Sequence, residues 1–545
     1  MQKSQFHAAK RTDCLRSGSG HFAFVFCLVA VIIVGLVAGY LFESDKLPSS
    51  GEDNVAVTSG AHEIDAESKV TRARWADLLI HRFPLNQADV SDGIEAPALA
   101  ILDSGKIALA WATTVSPTER EVMLVTSEDR GHSFSTATSV VTTGIHTSIS
   151  KMRGRTVERK LRTLPHLAAH GETLILCWVD AGENRESVVM KFSESVGPVV
   201  SFSDAVSVHQ STDARPTFTS LSVGDDGTVA CSWLDNRNKV QQPFAAVRRP
   251  KQTQFEPEKM VYAGPGGKGI CPCCPTTAFV MDGDALVAFR ANEGGYRDMW
   301  TAVLPQHDAQ FQAPVPLVEP TWEFAGCPHD GPAVAKTSRG IHVAWMDAHT
   351  GTERVYVGQN ESSQPPTVIG ETWVNSESQI AISQGHPQLE THEDILYLVW
   401  DQNLPVGVQG LETSDVDSAA DLKLTAAAAS KVPGAMDPER SKQEHRVGTD
   451  GVGSHNVGVT GGRAIYVAMS TDGGGTFSSA TAVSPRAGYF QSRPRIRISQ
   501  DGKIVVAWME LSEQGKSVVV ASLPTQAFVE TDLRTREGRS FQSSH

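Results

Sequence analysis

Three features of the sequence predict an all-β fold of the β-propeller type. A short apolar run that ends in Trp recurs along the chain, and in one copy Arg stands in place of the Trp. A proline lies 13 to 17 residues before the Trp or Arg that ends each run, and turns containing Asp or Gly lie between many of the prolines and their runs. The seven runs end at Trp111, Trp178, Trp233, Arg290, Trp345, Trp400 and Trp508.

The prolines mark where each repeated unit begins. Proline lacks an N–H and is therefore tolerated as the first residue of a strand, where it removes no ladder bond. The units recur at a period near 55 residues, which suits four-stranded blades around an axis, whereas solenoid repeats are usually shorter. We expect seven blades, with six as the alternative. The prolines are Pro97, Pro165, Pro216, Pro275, Pro332, Pro387 and Pro494.

The remaining segments complete the predicted domain organisation. Residues 75–85 precede the first unit and are expected to supply the outer strand of the last blade, which would close the ring. Residues 402–457 are rich in Ala, Ser and charge, and we expect an insertion or lid there. The predicted parts are a cytoplasmic N-terminus (1–21), a transmembrane anchor (22–42), a stalk (43–72), the propeller (73–526) and a C-terminal tail (527–545).

The segment Phe22–Phe42 predicts one transmembrane helix. It contains 21 residues without a charge, enough to cross a bilayer. Basic residues precede it, so the positive-inside rule places the N-terminus in the cytoplasm and the rest outside. A cleaved signal peptide is the alternative, although the run is longer than a usual signal and lacks a clear cleavage site. We expect a single-pass protein of the inner membrane with a periplasmic or extracellular domain, and a membrane or periplasmic protein as its partner.

The overall charge argues against a nucleic-acid partner. The chain has 48 Lys and Arg against 62 Asp and Glu, a net charge of −14. An acidic protein has no general attraction for a phosphate backbone. We therefore expect no nucleic-acid binding.

Two copies of one turn motif point to a known family. Residues 127–134 (SEDRGHSF) and 470–477 (STDGGGTF) both fit S-x-D-x-G-x-[ST]-[FW]. In such a turn the Asp accepts bonds from backbone N–H groups and the Gly takes a positive φ. The motif resembles the Asp-box, or BNR repeat, of the sialidase-like β-propellers, across roughly residues 75–525. The resemblance implies the fold and says little about the chemistry.

The sharpest candidate site is a pair of cysteine motifs. The residues just before each strand-opening proline should converge at one mouth of the propeller. Two of these loops read Cys-Pro-Cys-Cys-Pro from residue 271 and Cys-Pro-His-Asp-Gly-Pro from residue 327. Thiolates and imidazoles suit Cu(I) or Zn(II), and we expect copper first and zinc as the alternative. The candidate metal ligands are Cys271, Cys273, Cys274, Cys327, His329 and His386.

Other roles for these cysteines remain open. An exported compartment is oxidising, so Cys271 or Cys273 bridging to Cys327 would join two blades. Adjacent Cys273 and Cys274 would bridge each other only with strain. Redox-active thiols are a third alternative. Arg290, which replaces Trp in the repeat, is either a packed arginine paired with Asp298 or a ligand-binding residue.

The resemblance to sialidases implies a second candidate site. Those enzymes hold a substrate carboxylate with three arginines and use a Tyr–Glu pair as the nucleophile. Candidate arginines here are Arg215, Arg290, Arg297 and Arg493, with Asp347 as a further ligand-binding candidate. Tyr296 and Glu293 are the weak catalytic candidates. The sequence departs from the family at its Phe-Arg-Ile-Pro signature, which is absent.

Three functions therefore remain for the chain. The first is a membrane-anchored exported propeller that binds a soft metal at its mouth, for metal delivery or partner assembly. The second is a glycoside hydrolase of the exo-sialidase type. The third is a protein-interaction scaffold whose cysteines form disulfides.

Overall fold

The computed structural model describes most of the propeller region. The described residues are 78–86, 95–145, 147–152, 155–160, 162–182, 186–319, 321–360, 370–374, 383–404, 462–483, 485–486 and 488–524. Within these ranges no helix is both long and apolar enough to cross a membrane. The predicted span 22–42, the stalk, nearly all of the insertion and the tail lie outside the described residues.

Strands make up almost all of the described secondary structure. One short 3-10 helix, Pro265–Gly267, is the only helix in the described ranges. The first sheets along the chain are a four-stranded sheet, a two-stranded hairpin and a five-stranded sheet. Their strands are β2 (Ala98–Ile101), β3 (Ile107–Ser116), β4 (Glu119–Ser127) and β5 (Thr138–Gly144); β6 (Thr147–Met152) and β7 (Arg155–Lys160); and β8 (His166–His170), β9 (Thr173–Ala181), β10 (Glu186–Ser195), β11 (Ser201–Phe202) and β12 (Val206–Ser207).

Three four-stranded sheets follow in chain order. Each is an antiparallel meander in which sequential strands are neighbours. Their strands are β13 (Thr217–Val223), β14 (Val229–Asp235), β15 (Gln242–Arg248) and β16 (Lys259–Met260); β17 (Thr277–Met281), β18 (Asp284–Arg290), β19 (Met299–Leu304) and β20 (Val315–Pro316); and β21 (Ala333–Thr337), β22 (Gly340–Asp347), β23 (Arg354–Asn360) and β24 (Gly370–Trp373).

The last seven strands and the N-terminal strand β1 form two four-stranded groups that share a single parallel bridge, Arg463 to Phe490. In the second group the N-terminal strand β1 pairs antiparallel with the C-terminal strand β31, as expected for residues 75–85. The strands are β25 (Gln384–His392), β26 (Ile395–Asn403), β27 (Arg463–Ser470) and β28 (Thr481–Ala482), then β29 (Phe490–Ile498), β30 (Lys503–Ser512), β31 (Gly515–Pro524) and β1 (Leu79–Pro84).

The first strands of successive groups pack against one another in a cycle. The cycle runs β2, β8, β13, β17, β21, β25, β29 and back to β2. Radial packing of four-stranded antiparallel sheets around their first strands is the arrangement of a β-propeller. The all-β prediction is thus confirmed, and the β6–β7 hairpin is an addition that the repeat did not predict.

The repeated Trp residues form the core of the second strands. Trp233, Trp345, Trp400 and Trp508 are almost fully buried. The indole N–H groups of Trp233 and Trp345 donate to Asp235 and Asp347 at 3.1 and 2.8 Å. Residues i and i+2 of a strand face the same side, so the recurring W-x-D pattern pairs each indole with a carboxylate.

Two of the seven prolines do not open a strand. Pro387 and Pro494 lie inside β25 and β29, where the pairing register shifts between Gly385 and Gln388 and between Ser492 and Arg495. A bulge leaves one residue out of the ladder, so the missing proline N–H costs no bond there.

Both predicted Asp-boxes form the expected turn. Asp129 Oδ1 accepts bonds from Ser127 Oγ and the Ser133 amide, both at 2.8 Å, and Gly131 takes a φ of 87°. The second copy repeats these bonds through Asp472, at 2.7 Å from Ser470 Oγ and 2.9 Å from the Thr476 amide. The Asp-box resemblance is therefore confirmed in the hydrogen bonds of this chain.

Candidate functional site

Two adjacent loops bring the cysteine motifs together. Residues 271–275 lead into β17 and residues 327–332 lead into β21, two first strands that contact each other. The loops approach closely, because a Cβ placed on Gly331 would lie 2.5 Å from the Pro275 carbonyl oxygen. Only glycine permits backbones to approach so closely.

Three cysteines of the first loop form a buried sulfur cluster. Cys271, Cys273 and Cys274 are all buried and pack against one another. The Sγ of Cys271 lies 3.6 Å from that of Cys273 and 3.4 Å from that of Cys274. All three are free thiols rather than disulfides, because a disulfide requires an S–S distance near 2.05 Å.

The cluster concentrates negative charge on one sulfur. Hydrogen bonds from Cys273 and Cys274 hold the pKa of the Cys271 thiol well below its usual range, and the Arg290 guanidinium adds to that effect. The bond to Cys271 raises the pKa of Cys273, and burial raises that of Cys274. One thiolate held by two thiol donors is an arrangement in which a cation can replace protons.

The second loop adds two further ligands. The Sγ of Cys273, the Sγ of Cys327 and a ring nitrogen of His329 lie within 4.8 Å of one another, as do the three sulfurs of the first loop. Cys273 thus belongs to two groups of three ligands. Cys327 is exposed and His329 is partly buried, so the second group faces solvent while the first does not.

Arg290 makes hydrogen bonds to the backbone of both cysteine loops. Its guanidinium is fully buried and donates to the carbonyl oxygens of Asp330, Arg297 and Met346 at 3.2, 2.6 and 2.6 Å. Its own carbonyl accepts the Cys271 amide at 3.3 Å. The guanidinium thus joins residues 327–332 to β22, and the Arg290 backbone carbonyl joins residues 271–275 to β18.

The expected pairing of Arg290 with Asp298 is not what the structure shows. Asp298 accepts instead from the amides of Thr321 and Trp322, at 3.4 and 3.2 Å. Burial raises the pKa of Asp298, while Arg290 acts on it only through its charge. The Arg290 donors are used by backbone carbonyls, so the residue is part of the scaffold.

A chain of polar contacts leads from the second cysteine loop to the next two first strands. The Asp330 carboxylate accepts the His386 amide at 2.6 Å, and His386 Nδ1 lies 2.8 Å from Asp401 Oδ2. The Arg493 amide donates to that same oxygen at 2.9 Å. Arg463 donates to Asp401 Oδ1 from two nitrogens, one of them Nε at 2.8 Å.

This chain of contacts compensates a fully buried carboxylate. Burial alone would raise the pKa of Asp401, but the Arg463 guanidinium and His386 hold it well below its usual value. Asp401 and Arg463 are both completely buried, and such pairs persist only when their hydrogen bonds are satisfied. His386 therefore lies beside the cysteine loops and belongs to this carboxylate network rather than to either ligand group.

Three residues before the repeated prolines have positive φ values: Leu164, at 48°, His386 and Arg493. His386 and Arg493 have φ values of 52° and 56°, a region that non-glycine residues seldom occupy. Each amide donates to a buried carboxylate, which holds the strained conformation in place. Strain of this kind clusters at functional sites, and here both residues lie in the network around Asp401.

The arginines predicted to bind a carboxylate have separate partners. Arg215 lies 3.8 Å from Glu186, and Arg297 Nε donates to the Phe324 carbonyl at 3.0 Å. Burial and Arg162 lower the pKa of Arg493 to about 10. Asp347 accepts the Trp345 indole and His349 Nδ1. The contacts found for these residues do not assemble an arginine triad.

The structure pairs Glu293 with a tyrosine that sequence reasoning missed. Glu293 and Tyr296 face each other across a tight backbone turn, but the Glu293 carboxylate accepts a 2.5 Å bond from Tyr262 Oη. Burial and Glu293 raise the pKa of Tyr262 to about 12. A cavity of about 470 Å³ adjoins this turn. It is lined by Pro265, Gly266, Lys268, Gly269, Asn292, Gly294 and Gly295.

Sequence reasoning also missed Arg463 and Trp322. Arg463 begins β27 immediately after the insertion and carries no motif. Trp322 lies outside the repeated strands, and the Arg290 guanidinium lies 5.3 Å from its ring centroid. Neither has a local signal, because each acts through a partner distant in sequence.

Comparison with known proteins yields matches among solved structures alone; no protein-family model and no curated protein matches the chain. A mutant of Trypanosoma rangeli sialidase displaying trans-sialidase activity aligns with a TM-score of 0.41 and 8% identity, over 85% of this chain and 61% of that chain. Penicillium chrysogenum α-L-arabinanase aligns with a TM-score of 0.37 and 11% identity, over 81% of this chain and 96% of that chain.

A protein of unknown function from Dyadobacter fermentans aligns with a TM-score of 0.37 and 11% identity, over 60% of this chain and 96% of that chain. The chain spans about three fifths of the length of the first Trypanosoma rangeli sialidases it matches. Because the scores are low, the propeller assignment rests on the cyclic packing and the Asp-box bonds of this chain.

Proposed function

We propose that this chain is a seven-bladed propeller that binds a soft metal ion, copper before zinc, at the mouth formed by residues 271–275 and 327–332. Each group of strands counts as one blade, including the five-stranded β8–β12 and the group of β29–β31 with β1. The single observation that carries the proposal is the convergence of four sulfurs and an imidazole from two adjacent loops. The four cysteines form no disulfide, and in each ligand group the donor atoms lie within 4.8 Å of one another.

The donor set favours copper over other metals. Thiolate sulfur selects Cu(I) and Zn(II), whereas hard cations take oxygen. Zinc in a structural site takes four ligands in a tetrahedron, whereas each ligand group here supplies three. Three-ligand thiolate groups are better matched to Cu(I), which does not require a fourth ligand.

The surroundings of the sulfurs favour metal binding over disulfides. Arg290 places a buried positive charge where thiolates form. It also fixes the cysteine loop through the Cys271 amide. A metal site needs such outer contacts to orient its ligands, whereas a disulfide would leave the third sulfur of the cluster without a role.

The cellular setting is part of the proposal. The apolar segment Phe22–Phe42 would anchor the chain in the inner membrane, with the propeller on the periplasmic side. An exposed Cys327 beside a buried cluster suits the transfer of a metal to or from a membrane or periplasmic protein. Delivery of copper, or assembly of a copper-containing partner, is the role that this placement supports.

The glycoside-hydrolase alternative has one geometric point in its favour, the Tyr262–Glu293 pair beside a cavity. However, burial and Glu293 raise the pKa of Tyr262 to about 12, so its activation would depend on Glu293 acting as a general base rather than on a lowered pKa. Arg290 and Arg297 donate to backbone carbonyls rather than to a shared open position. The geometry therefore favours metal binding over sialoside hydrolysis.

The test is the metal content of the full chain purified in detergent without chelator. We expect copper to be retained, and to be lost in Cys273→Ser. Cys177→Ser is the matched control, because Cys177 is a buried free cysteine outside both ligand groups, and it should keep the metal. Absence of metal together with a Cys273–Cys327 disulfide in the peptide map would contradict the proposal and leave the interaction scaffold.

A further inference from the structure

The two ligand groups at the mouth share one sulfur. Cys273 is a member of the group with Cys271 and Cys274 and of the group with Cys327 and His329. Within the described residues, no four of these five side chains bring their ligand atoms within 4.8 Å of one another. A single four-coordinate ion would therefore require one of the loops to move.

We propose that the mouth holds two Cu(I) ions bridged by the thiolate of Cys273. The inner ion is bound by Cys271, Cys273 and Cys274, and the outer ion by Cys273, Cys327 and His329. This rests on the proposed function and adds to it the number of ions and their arrangement. A thiolate sulfur has several lone pairs and can bind two soft ions at once, whereas the imidazole of His329 binds one.

The charge balance is consistent with two monovalent ions. When the ions are bound all four cysteines are thiolates; the protons still held by the thiols pass to solvent, and no electron is transferred. Four thiolates outweigh the charge of two Cu(I) ions. The buried Arg290 guanidinium, which already acts on Cys271 and Cys274, offsets part of that excess. Two divalent ions would instead neutralise the thiolates and leave the Arg290 charge buried without compensation.

The two positions differ in access to solvent. All three ligands of the inner ion are buried, whereas Cys327 is exposed and His329 is partly buried. The outer ion is therefore the one that exchanges with a partner or a chelator. Cys273 offers the path between the positions, because it can hold both ions throughout the exchange.

The experiment is an anaerobic titration of the full metal-free chain with Cu(I), followed by X-ray absorption at the copper edge. We expect about two ions per chain and a copper–copper distance in the absorption spectrum. A Cu(I) chelator should remove the ions in two phases, the outer ion first. Cys327→Ser and His329→Asn should each retain about one ion, lose the copper–copper signal and show a single phase.

Cys273→Ser should lose the copper–copper signal and bind neither ion tightly. Cys177→Ser should behave as the unmodified chain, and near-ultraviolet circular dichroism should show that each variant is folded. Because Cys327 is exposed, its variant is informative even where Cys273→Ser folds poorly.

The remaining outcomes distinguish failure of the bridged pair from failure of the proposed metal site. One ion per chain, unaffected by Cys327→Ser and His329→Asn, would overturn the bridged pair and leave the proposed metal site standing. Two ions that persist in Cys273→Ser would overturn the bridge. No bound copper at all would overturn the bridged pair and the proposed function together.

Discussion

Two neighbouring parts of the propeller mouth use equivalent positions, just before the repeated prolines, in different ways. We call the loops 271–275 and 327–332 the sulfur quarter, and the contacts around Asp401 the neutralised quarter. The loops before β17 and β21 present sulfur ligands, whereas the corresponding positions His386 and Arg493 lie inside β25 and β29. In the neutralised quarter the Asp401 carboxylate accepts bonds from His386, Arg493 and Arg463, and the Asp401–Arg463 pair is fully buried. In the sulfur quarter Cys271, Cys273 and Cys274 lie against one another, and Cys327 is exposed. The comparison teaches that one quarter is already neutralised, whereas the other is ready for a cation.

The largest expected effect comes from breaking the neutralised quarter. Arg463→Met leaves the buried Asp401 carboxylate without its main partner, which costs about 3–5 kcal/mol for a buried pair. The measurement is the midpoint of urea unfolding. The double variant Arg463→Met with Asp401→Leu should recover part of the loss, because it removes the stranded charge. If Arg463→Met alone is as stable as the unmodified chain, Arg463 does not stabilise the buried Asp401 carboxylate.

The next effect concerns pH, at a buried histidine next to the second Asp-box. Burial and Arg339 lower the pKa of His342 from 6.5 to about 4. The unfolded chain therefore binds a proton at higher pH than the folded chain does. Its contribution is fully present above pH 6.5 and is lost as pH falls toward 4. At about 1.4 kcal/mol per pKa unit, the loss approaches about 3 kcal/mol.

Urea unfolding at pH 7, 5.5 and 4 measures this dependence. His342→Asn removes the titrating group, so its stability should fall less steeply over that interval, whatever its stability at pH 7. His170, which is exposed and bonded to the Asp225 carbonyl, supplies the control variant His170→Asn. Equal slopes for His342→Asn and the unmodified chain would contradict the assignment.

A smaller effect is expected at the scaffold of the sulfur quarter. Arg290→Met removes the positive charge beside Cys271 and Cys274 and releases the Asp330 and Met346 carbonyls, which join the second cysteine loop to β22. Outer contacts of this kind typically contribute about 10- to 100-fold in metal affinity. Chelator competition measures that affinity, and Arg463→Met is the contrast, since it should affect stability more than affinity. Unchanged metal affinity in a folded Arg290→Met variant would show that Arg290 does not contribute to metal binding.

The smallest expected effect lies at the outer turns. Asp129→Ala and Asp472→Ala each delete a carboxylate that accepts bonds from nearby amides and hydroxyls. By analogy with capping carboxylates, each should cost about 1–2 kcal/mol. Thermal unfolding should show similar losses for the two variants and no change in metal content. A change in metal content from either variant would mean that these turns are coupled to the mouth.

The sequence was sufficient to predict the repeated framework because its signals are local. The buried Trp positions, most strand-opening prolines and both Asp-boxes follow from spacing and turn chemistry. The pairing of β1 with β31, which completes the last group, was predicted because the last repeat lacks an outer strand of its own. Aligning the motifs from Cys271 and Cys327 also placed the two cysteine loops side by side, because corresponding loops of adjacent repeats are neighbours.

The contacts that the sequence could not predict are all between distant residues. Arg463 reaches Asp401 across the insertion, and Glu293 selects Tyr262 rather than Tyr296. His386 was expected beside the metal, but its Nδ1 contacts Asp401. Such pairings depend on how the sheets are placed against each other, which short patterns do not encode. The positions of Pro387 and Pro494 inside strands could not be predicted either. They depend on β-bulges, and a bulge forms only when a strand pairs with its neighbour.

The most direct measurement of the central claim is the copper-to-protein ratio of the chelator-free full chain, with its thiols counted after denaturation. We predict bound copper and, once the chain is denatured and the copper removed, reduced cysteines at 271, 273, 274 and 327. A chain without copper, zinc or any other soft metal, and with two of these cysteines joined in a disulfide, would contradict the account. The mouth would then be a covalent link between two blades rather than a metal centre.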